Sequence, residues 1–240
     1  MKKLIVITGA TSGFGMEMAK MFNKIGHPLL LVGRRVELME NLKLDNCLVR
    51  KVDVTNKEQL QSAINEAEDK YGDTDLLINN AGVMLLGNVD TQDSNEWKTM
   101  FDTNVLGVLN GMQCVLPKMK KNNSGTIINV SSIAGFKTFG NHAAYCGSKY
   151  AVHAITETTR EEVSSDNVRV CLISPGAAET ELLSHTTSDT IKDGYNEWKE
   201  SMGGVTLDPK EIARCAKFIY ESPQSVIIRD IVIAHTKQDS

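Results

Sequence analysis

The stretch TIINVSSIAGFKTFGNHAAYCGSK, residues 126–149, contains the most informative local pattern of the sequence. Its first five residues are rich in β-branched side chains and too few for a helix, so they predict a strand buried on both faces. A polar loop that begins with Ser131 and Ser132 follows this strand, and a helical pattern opens near Ala143. The stretch therefore predicts a buried strand, a polar loop and a helix in direct succession.

The first turns of that helix carry Tyr145 and Lys149, and a spacing of four places both side chains on one helix face. An ammonium close to a phenol favours the phenolate and lowers the phenol pKa. A Tyr tuned in this way can give a proton to an alkoxide or take one from an alcohol. Ser132, at the end of the adjacent strand, could hold the substrate oxygen beside it.

The same spacing is common on amphipathic helices, where it usually forms a surface pair. This chain repeats it at Tyr195 and Lys199. Tyr145 follows a strand that ends in two serines, whereas Tyr195 follows nothing comparable, so we interpret the second pair as a surface pair. The first pair becomes informative only if the chain also builds a cofactor site.

The composition is that of a soluble globular protein. The 240 residues, with 41% hydrophobic and 23% charged side chains, are sufficient for one large α/β domain. The net charge of -4 argues against nucleic acid as the main partner. No apolar run reaches the length of a membrane span, and the run behind the first three residues is too short for a signal peptide. The five scattered cysteines predict reduced thiols in a cytoplasmic protein without a metal site.

The amino terminus combines a strand, a glycine-rich turn and a helix. The apolar run 4–7 is followed at once by TGATSGFG, residues 8–15, and then by apolar residues at helical spacing. In this arrangement the backbone N–H groups and the helix N-terminus receive a pyrophosphate. The turn residues that we predict to bind a dinucleotide cofactor are Gly9, Thr11, Ser12, Gly13, Phe14 and Gly15.

The second strand, residues 29–32, ends in Gly33-Arg34-Arg35. An NAD-binding unit would place a carboxylate here for the ribose hydroxyls, but no carboxylate appears before Glu37. Two guanidiniums suit a 2′-phosphate, so the sequence favours NADP(H) over NAD(H). The alternative is that Arg34 and Arg35 only begin a solvated helix.

Strands and helices continue to alternate to the end of the chain. Further strands are predicted at 47–52, 75–79, 168–174 and 226–234, and helices at 36–44, 56–71, 93–119 and 209–221. This alternation predicts one doubly wound, Rossmann-type domain over 1–240, with a parallel sheet of about seven strands and helices on both faces. Polar clusters follow several strands, which predicts a ligand site at the carboxyl ends of the sheet.

Two further groups of residues are candidates for this site. The polar stretch from about 180 to 204 has the length and position of a lid over a cleft. Asp53 could accept a hydrogen bond from an adenine amino group or simply belong to its turn, with Val54 next to it. Candidate substrate-pocket residues, each with an ordinary structural explanation, are Ile133, Phe136, His142, Ala178, Glu179, Leu182 and His185.

Taken together, these motifs resemble the short-chain dehydrogenase/reductase family over essentially the whole chain. The shared motifs are Thr8-Gly9-(x3)-Gly13-x-Gly15, Asn79-Asn80-Ala81-Gly82, Asn104, Ser132, Tyr145-(x3)-Lys149 and Pro175-Gly176. The resemblance implies that Tyr145 is the general acid/base and that Ser132 orients the substrate oxygen. It implies that Lys149 lowers the pKa of Tyr145 and binds the nicotinamide ribose. Asn104 would kink its helix and hold a water that links Lys149 to solvent.

The resemblance also implies roles around the cofactor. Asn80, Ala81 and Gly82 would line the adenosine ribose side, and Pro175, Gly176 and Thr180 would flank the nicotinamide carboxamide, with Ala178 where the family often has a bulkier aliphatic residue. Many members are homotetramers, so we expect a homo-oligomer, a tetramer or a dimer, that pairs through the helices at 93–120 and 145–165 and through the final strand.

The reaction that the resemblance implies is the NADP(H)-dependent interconversion of a secondary alcohol and a carbonyl in a small-molecule substrate. Gly33-Arg34-Arg35 with Glu37, and the ending at 228–238, resemble members that oxidise small 3-hydroxy acids. One alternative is a reductase of a bulkier ketone or diketone. Another is a cofactor-binding sensor without turnover.

Overall fold

Seven strands form the sheet of the computed structural model, which describes residues 2–238. The strands are β1 (Leu4–Thr8), β2 (Leu29–Gly33), β3 (Cys47–Lys51), β4 (Thr74–Asn79), β5 (Gly125–Val130), β6 (Val168–Pro175) and β7 (Asp230–Ile233). They pair in the order β3-β2-β1-β4-β5-β6-β7, and every pair is parallel. The predicted Rossmann-type sheet of seven strands is confirmed.

Helices cover both faces of this sheet. They are α1 (Gly13–Lys24), α2 (Val36–Glu40), α3 (Lys57–Tyr71), α4 (Ser94–Phe101), α5 (Gly107–Lys121), α6 (Ala143–Glu162), α7 (Asp189–Ser201) and α8 (Pro209–Glu221). Side chains of α1 and α8 join one hydrophobic core, and side chains of α3, α5 and α6 join the other. Met1, Asp239 and Ser240, which belong to the predicted domain 1–240, lie outside the described residues.

Strand β1 shows why the apolar runs form central strands. Its side chains alternate between the two cores, with Leu4 and Val6 on one face and Ile5 and Ile7 on the other. All four side chains are fully buried, and each such burial contributes about 1.5–3 kcal/mol to stability. A run without polar residues is therefore what a strand covered on both faces requires.

The order of winding reverses between β1 and β4, which are neighbours in the sheet although β2 and β3 separate them in the sequence. The connections that leave these two strands go to opposite faces, so a crevice opens at their carboxyl ends. The glycine turn after β1 and the loop after β4 both begin at this crevice. The topology therefore brings distant polar clusters together.

The structure differs from the predicted elements in four places. The helix predicted at 93–119 is interrupted by a π-helical turn, Asp102–Leu106, around Asn104, and the helix predicted at 36–44 ends at Glu40. The final strand is shortened to Asp230–Ile233, which pairs with Leu172–Pro175, the second half of β6. The predicted lid contains a 3-10 turn, Glu181–His185, followed by α7.

Candidate active site

A cleft of about 1130 Å³ lies at the carboxyl ends of the strands. It is lined by all but two of the residues predicted to bind the cofactor or to act in catalysis; the exceptions, Gly15 and Asn104, lie behind its wall. The predicted residues that line it are Gly9, Thr11, Ser12, Gly13, Phe14, Arg34, Arg35, Asp53, Val54, Asn80, Ala81, Gly82, Ser132, Tyr145, Lys149, Pro175, Gly176, Ala178 and Thr180.

The glycine turn packs directly against the loop after β4. Gly9 has a φ of +63°, and a Cβ at this position would lie 2.7 Å from the Cα of Ala81. The side-chain amide of Asn80 donates to the carbonyl oxygens of Thr8 and Gly9, at 3.1 and 3.0 Å. Gly15 lies beneath the turn, where a side chain would collide with the Gly9 carbonyl. Glycine is therefore required here for close approach of two backbone segments.

Helix α1 begins at the end of this turn and points its amino terminus into the cleft. Its N-cap residue, Ser12, makes no side-chain hydrogen bond to the first helical N–H groups. These N–H groups have no partner within the helix and carry its positive dipole end, so they suit a phosphate. The prediction that the turn binds a pyrophosphate is consistent with this geometry.

A guanidinium lies beside the turn. The Nη2 atom of Arg35 is 3.2 Å from Thr11 Oγ1 and 3.3 Å from Ser12 Oγ, and it forms an ion pair of 2.7 Å with Glu181. Arg34 is exposed next to it. Both arginines line the cleft, and the charge of Arg35 is paired there with Glu181; their binding of a 2′-phosphate stays a prediction.

Ser132, Tyr145 and Lys149 meet in the middle of the cleft. Helix α6 buries both members of its pair, with Tyr145 5% and Lys149 7% exposed. The Lys149 Nζ atom lies 5.8 Å from the centre of the Tyr145 ring and donates to the carbonyl of Val130 at 3.1 Å. The Ser132 side chain lies beside the phenol and acts to lower its pKa. A phenol, an ammonium and a hydroxyl from two separate segments therefore converge.

Burial disfavours charge on both members of this pair. It raises the pKa of Tyr145, and only the Ser132 side chain acts against it. Burial also lowers the pKa of Lys149 to about 8. The lowered phenol pKa expected from the Tyr145–Lys149 pair is therefore not produced by these protein groups alone. A phenolate in this cleft requires a further positive charge beside it.

Asn104 supports the site from behind. Its Oδ1 accepts a hydrogen bond from the Val83 N–H at 2.8 Å, and its Nδ2 donates to the Val83 carbonyl at 2.9 Å and to Ser148 Oγ at 3.1 Å. Gly82 separates it from Lys149, because a Cβ on Gly82 would lie 3.2 Å from Asn104 Oδ1 and 3.8 Å from Lys149 Nζ. Asn104 thus joins the π-helical turn to the loop after β4 and to α6. Its water-holding role stays a prediction.

The carboxyl end of β6 is covered by Gln238. The Gln238 Oε1 atom accepts a hydrogen bond from the Ala177 N–H at 2.9 Å, and a side chain on Gly176 would collide with Gln238. Gln238 also lines the cleft. Sequence reasoning did not identify it as a site residue, because only the tertiary fold brings it beside β6.

Most of the candidate substrate-pocket residues line the cleft. Ile133, His142, Ala178, Leu182 and His185 line it, whereas Phe136 and Glu179 do not. Phe136 is 46% exposed and packs edge-on against His153. Lining residues that sequence reasoning missed include Phe139, Leu183, Ile191, Tyr195, Trp198 and Lys199.

The interpretation of Tyr195 and Lys199 as a surface pair is wrong. Helix α7 lies over the cleft, so both side chains line it, and burial together with the charge of Glu179 raises the pKa of Tyr195 to about 12. The ring centre of Tyr195 lies 6.3 Å from that of His142, which in turn lies 6.2 Å from the Tyr145 ring. The repeated Tyr-x-x-x-Lys spacing was the feature of the sequence that could have indicated a second pair in the cleft.

The sheet order and the cleft at its switch point place this protein in the Rossmann-type class of α/β proteins. The family described as short chain dehydrogenase matches residues 3–191. The chain therefore belongs to the short-chain dehydrogenase/reductase family of oxidoreductases.

Similar proteins span its whole length. The chain is 36% identical to an uncharacterized oxidoreductase of Staphylococcus saprophyticus, over 98% of this chain and 97% of the relative. The closed form of serine dehydrogenase complexed with NADP+ is 28% identical, with a TM-score of 0.91 over 99% of this chain and 96% of that chain. ElxO with NADP bound is 27% identical, with a TM-score of 0.86 over 97% of both chains.

Proposed function

We propose that this protein is an NADP(H)-dependent oxidoreductase that interconverts a secondary alcohol and a carbonyl. The observation that carries the proposal is the convergence of Ser132, Tyr145 and Lys149 in one cleft with the glycine turn. Each group has a chemical task in this reaction, and each lies where a substrate carbonyl beside a nicotinamide could meet it.

The cofactor, when bound, supplies or accepts the hydride. In the reduction direction, Tyr145 gives its phenolic proton to the oxygen that becomes the alcohol. The Ser132 hydroxyl donates a hydrogen bond to the same oxygen and stabilises the charge that develops on it. The Lys149 ammonium stabilises the phenolate that remains, and in the oxidation direction the same groups act in reverse.

Arg34 and Arg35 are the residues that we propose hold the 2′-phosphate of NADP(H). The proposal is supported by the NADP-bound structures of serine dehydrogenase and ElxO. We expect the kcat/KM for NADPH to exceed that for NADH by about 10- to 100-fold, since a charge-assisted hydrogen bond contributes about 1.5–3 kcal/mol. Arg35→Ala should remove most of this preference, while Lys24→Ala, at the far end of α1, should leave it unchanged. Equal efficiency with the two cofactors contradicts the proposal.

The substrate that we propose first is a small 3-hydroxy acid or a related alcohol. The likeness to serine dehydrogenase supports this class, since serine is itself a 3-hydroxy acid. The aromatic lining by Phe139, Tyr195 and Trp198 favours the second candidate, a bulkier ketone or diketone. Rates of NADP+ reduction with 3-hydroxy acids and of NADPH oxidation with aldehydes and diketones decide between them. Tight NADPH binding without turnover on this panel contradicts both.

We propose that the segment at about 180–204 acts as the lid of this site. Its side chains Tyr195 and Trp198 line the cleft, and Thr186 ties the segment to the loop after β4. The Thr186 hydroxyl accepts from the Leu86 N–H and donates to the Met84 carbonyl, both at 3.2 Å. The quenching of Trp198 fluorescence on addition of NADPH should report closure of the segment.

We further propose a homo-oligomer, a tetramer or a dimer, in the cytoplasm. Large apolar side chains are exposed on α4 to α6, namely Phe101, Leu106, Leu109 and Tyr150, and around β7, namely Val226 and Val232. All five cysteines are free thiols, which suits a reducing compartment. Within residues 2–238, no helix is long and apolar enough to cross a membrane. Light scattering after gel filtration measures the mass in solution, and a monomer contradicts the oligomer.

A further inference from the structure

Three polar side chains from three different elements form a chain behind the Ser132 loop. His153 lies on α6, one turn beyond Lys149, and its Nε2 atom is 3.4 Å from the Oγ atom of Ser174 at the end of β6. The Ser174 hydroxyl lies 3.0 Å from Oδ1 of Asp230, the first residue of β7. Ser174 is fully buried, so this hydroxyl cannot act as a nucleophile towards a substrate.

The His153 ring is the support on which the Ser132 loop rests. A 3-10 turn, Ile133–Gly135, follows Ser132, and the Ser132 hydroxyl accepts the Ala134 N–H at 3.1 Å. Gly135 sits directly on the His153 ring, because a side chain on Gly135 would collide with that ring. The Phe136 ring closes the other edge, with its centre 5.7 Å from that of His153. The loop after Ser132 therefore packs directly on the His153 ring, which limits the conformations that the loop can adopt.

The ring also has polar partners on two sides. Burial lowers the pKa of His153; the Asp230 carboxylate and the nearby Ser132 backbone act against burial, and the charge of Lys149 lowers the pKa further. The Ser174 hydroxyl donates its single proton to the Asp230 carboxylate, so its contact with His153 is one in which the ring donates from Nε2 to Ser174 Oγ.

We propose that His153 is a positioning residue, held by Ser174 and Asp230, that fixes the backbone of Ser132 so that its hydroxyl points at the substrate oxygen. This inference rests on the proposed function, in which the Ser132 hydroxyl stabilises charge on that oxygen. His153 touches neither the substrate nor the cofactor, so its effect on turnover passes through Ser132. The residue is half-buried and does not line the cleft.

The test compares two substitutions that differ in hydrogen bonding. His153→Phe keeps a ring but removes its polar contacts with Ser174 and the Ser132 backbone, and it should lower kcat by about 10- to 100-fold, because a misplacement of about 1 Å costs about 100-fold. The KM for NADPH should stay within about twofold, since the cofactor contacts are untouched. His153→Gln retains a donor and an acceptor and should recover kcat to within about threefold of the wild type. Equal losses in both variants overturn the proposal.

A double-mutant cycle separates positioning from a general effect on folding. In the Ser132→Ala background, His153→Phe should lower kcat by less than about twofold, because residues that act through one another are not additive. A further loss of 10-fold or more in that background overturns the proposal. His27→Gln is the matched control: this buried ring also contacts a backbone carbonyl, at 2.8 Å from Lys3, but lies far from the cleft. It should leave kcat unchanged.

A measurement that does not depend on turnover tests the contacts between His153, Ser174 and Asp230 directly. Asp230→Asn removes a negative charge beside the ring and should lower the pKa of His153, measured by NMR titration of its ring protons. An unchanged pKa overturns the role of Asp230 in the chain. If His153→Phe does not fold, Ser174→Ala takes its place in the cycle and should lower kcat through the same Ser132. If the wild-type enzyme reduces no carbonyl, the proposed function fails, while this titration still decides the chain.

Discussion

Two Tyr-x-x-x-Lys pairs line one cleft in this protein, but they occupy different environments. Tyr145 and Lys149 are both buried, and the ammonium of Lys149 contacts only uncharged protein groups in the part of the chain that the structure describes. Tyr195 is half-buried, and Lys199 lies 3.3 Å from the carboxylate of Glu179. The spacing of four residues places the tyrosine and the lysine of each pair on one helix face. The residues that surround a pair then determine its charge and its chemistry.

The neighbours differ most in charge. The Glu179 carboxylate beside the second pair forms an ion pair with Lys199 and, after burial, is the second cause that raises the pKa of Tyr195. The first pair has a serine hydroxyl that opposes the effect of burial on the Tyr145 pKa, and no carboxylate among its described neighbours. A cationic ring nearby can therefore lower the pKa of Tyr145 in the first pair. In the second pair the charge of Lys199 is already balanced by Glu179, and Tyr195 stays protonated. We expect acid–base catalysis from the first pair and substrate contact from the second.

The largest difference is expected when each tyrosine loses its hydroxyl. Tyr145→Phe should lower kcat by about 1,000-fold, since general acid catalysis contributes about 100- to 10,000-fold. Tyr195→Phe should change kcat by less than about fivefold, because its ring contacts remain. Steady-state NADPH oxidation measures both, and circular dichroism checks that each variant is folded. Retention of most activity in Tyr145→Phe would refute the role of this phenol.

Substitution of Lys149 should lower kcat more than substitution of Lys199, but by a smaller factor than is expected for the two tyrosines. Lys149→Met should lower kcat by about 100-fold, because the phenolate loses its stabilising cation. Lys199→Met should act mainly on the KM of the substrate, because its charge is already paired with Glu179. Kinetics at saturating NADPH separate the two effects. A kcat loss of similar size in both variants contradicts the distinction between the pairs.

The buried lysine should also leave a signature in stability. Its pKa is about 8 when folded and about 10.4 when unfolded, so the unfolded state binds more protons between these values. The free energy of unfolding should therefore rise as the pH increases from about 8 to about 10. Lys149→Met should remove this rise, and Lys199→Met should retain it. Urea denaturation across this pH range measures the difference, and parallel curves for wild type and Lys149→Met contradict it.

The smallest expected effect concerns the second tyrosine. Glu179→Gln removes the negative charge that raises the pKa of Tyr195, so this pKa should fall below about 12. Burial remains, so we expect a shift of less than about one unit. Ultraviolet titration of the phenolate, with Tyr195→Phe as the reference, isolates this group among the five tyrosines. A rise of the Tyr195 pKa in Glu179→Gln would contradict the assigned neighbour.

Much of the fold could be read from the chain because its central strands are covered on both faces. The apolar runs at 4–7, 29–32 and 126–130 coincide with β1, β2 and β5 to within one residue at each end. The bounds of an element were predicted less accurately where they depend on contacts with another element. The length of β7 depends on β6, and the π-helical turn depends on the contacts of Asn104 with Val83 and Ser148.

The same division applies to the cleft. Polar residues directly after strands were predicted correctly to lie together, because parallel strands all present their carboxyl ends at one edge. Tyr195, Trp198 and Gln238 could not be placed there from the sequence, since no local pattern shows which way α7 or the segment after β7 turns. Tyr195 packs in a cluster with Val83 and Tyr145, and Gln238 accepts a hydrogen bond from Ala177; each of these partners is more than forty positions away in the sequence.

The alternation of strands and helices, the glycine turn and the spacing that pairs Tyr145 with Lys149 could be derived from the residues alone, because they depend on groups near one another in the sequence. The fold was needed to show which of the two identical spacings is buried beside a serine hydroxyl and which is paired with a carboxylate. Charge and burial depend on neighbours in space, and those neighbours come from distant parts of the sequence.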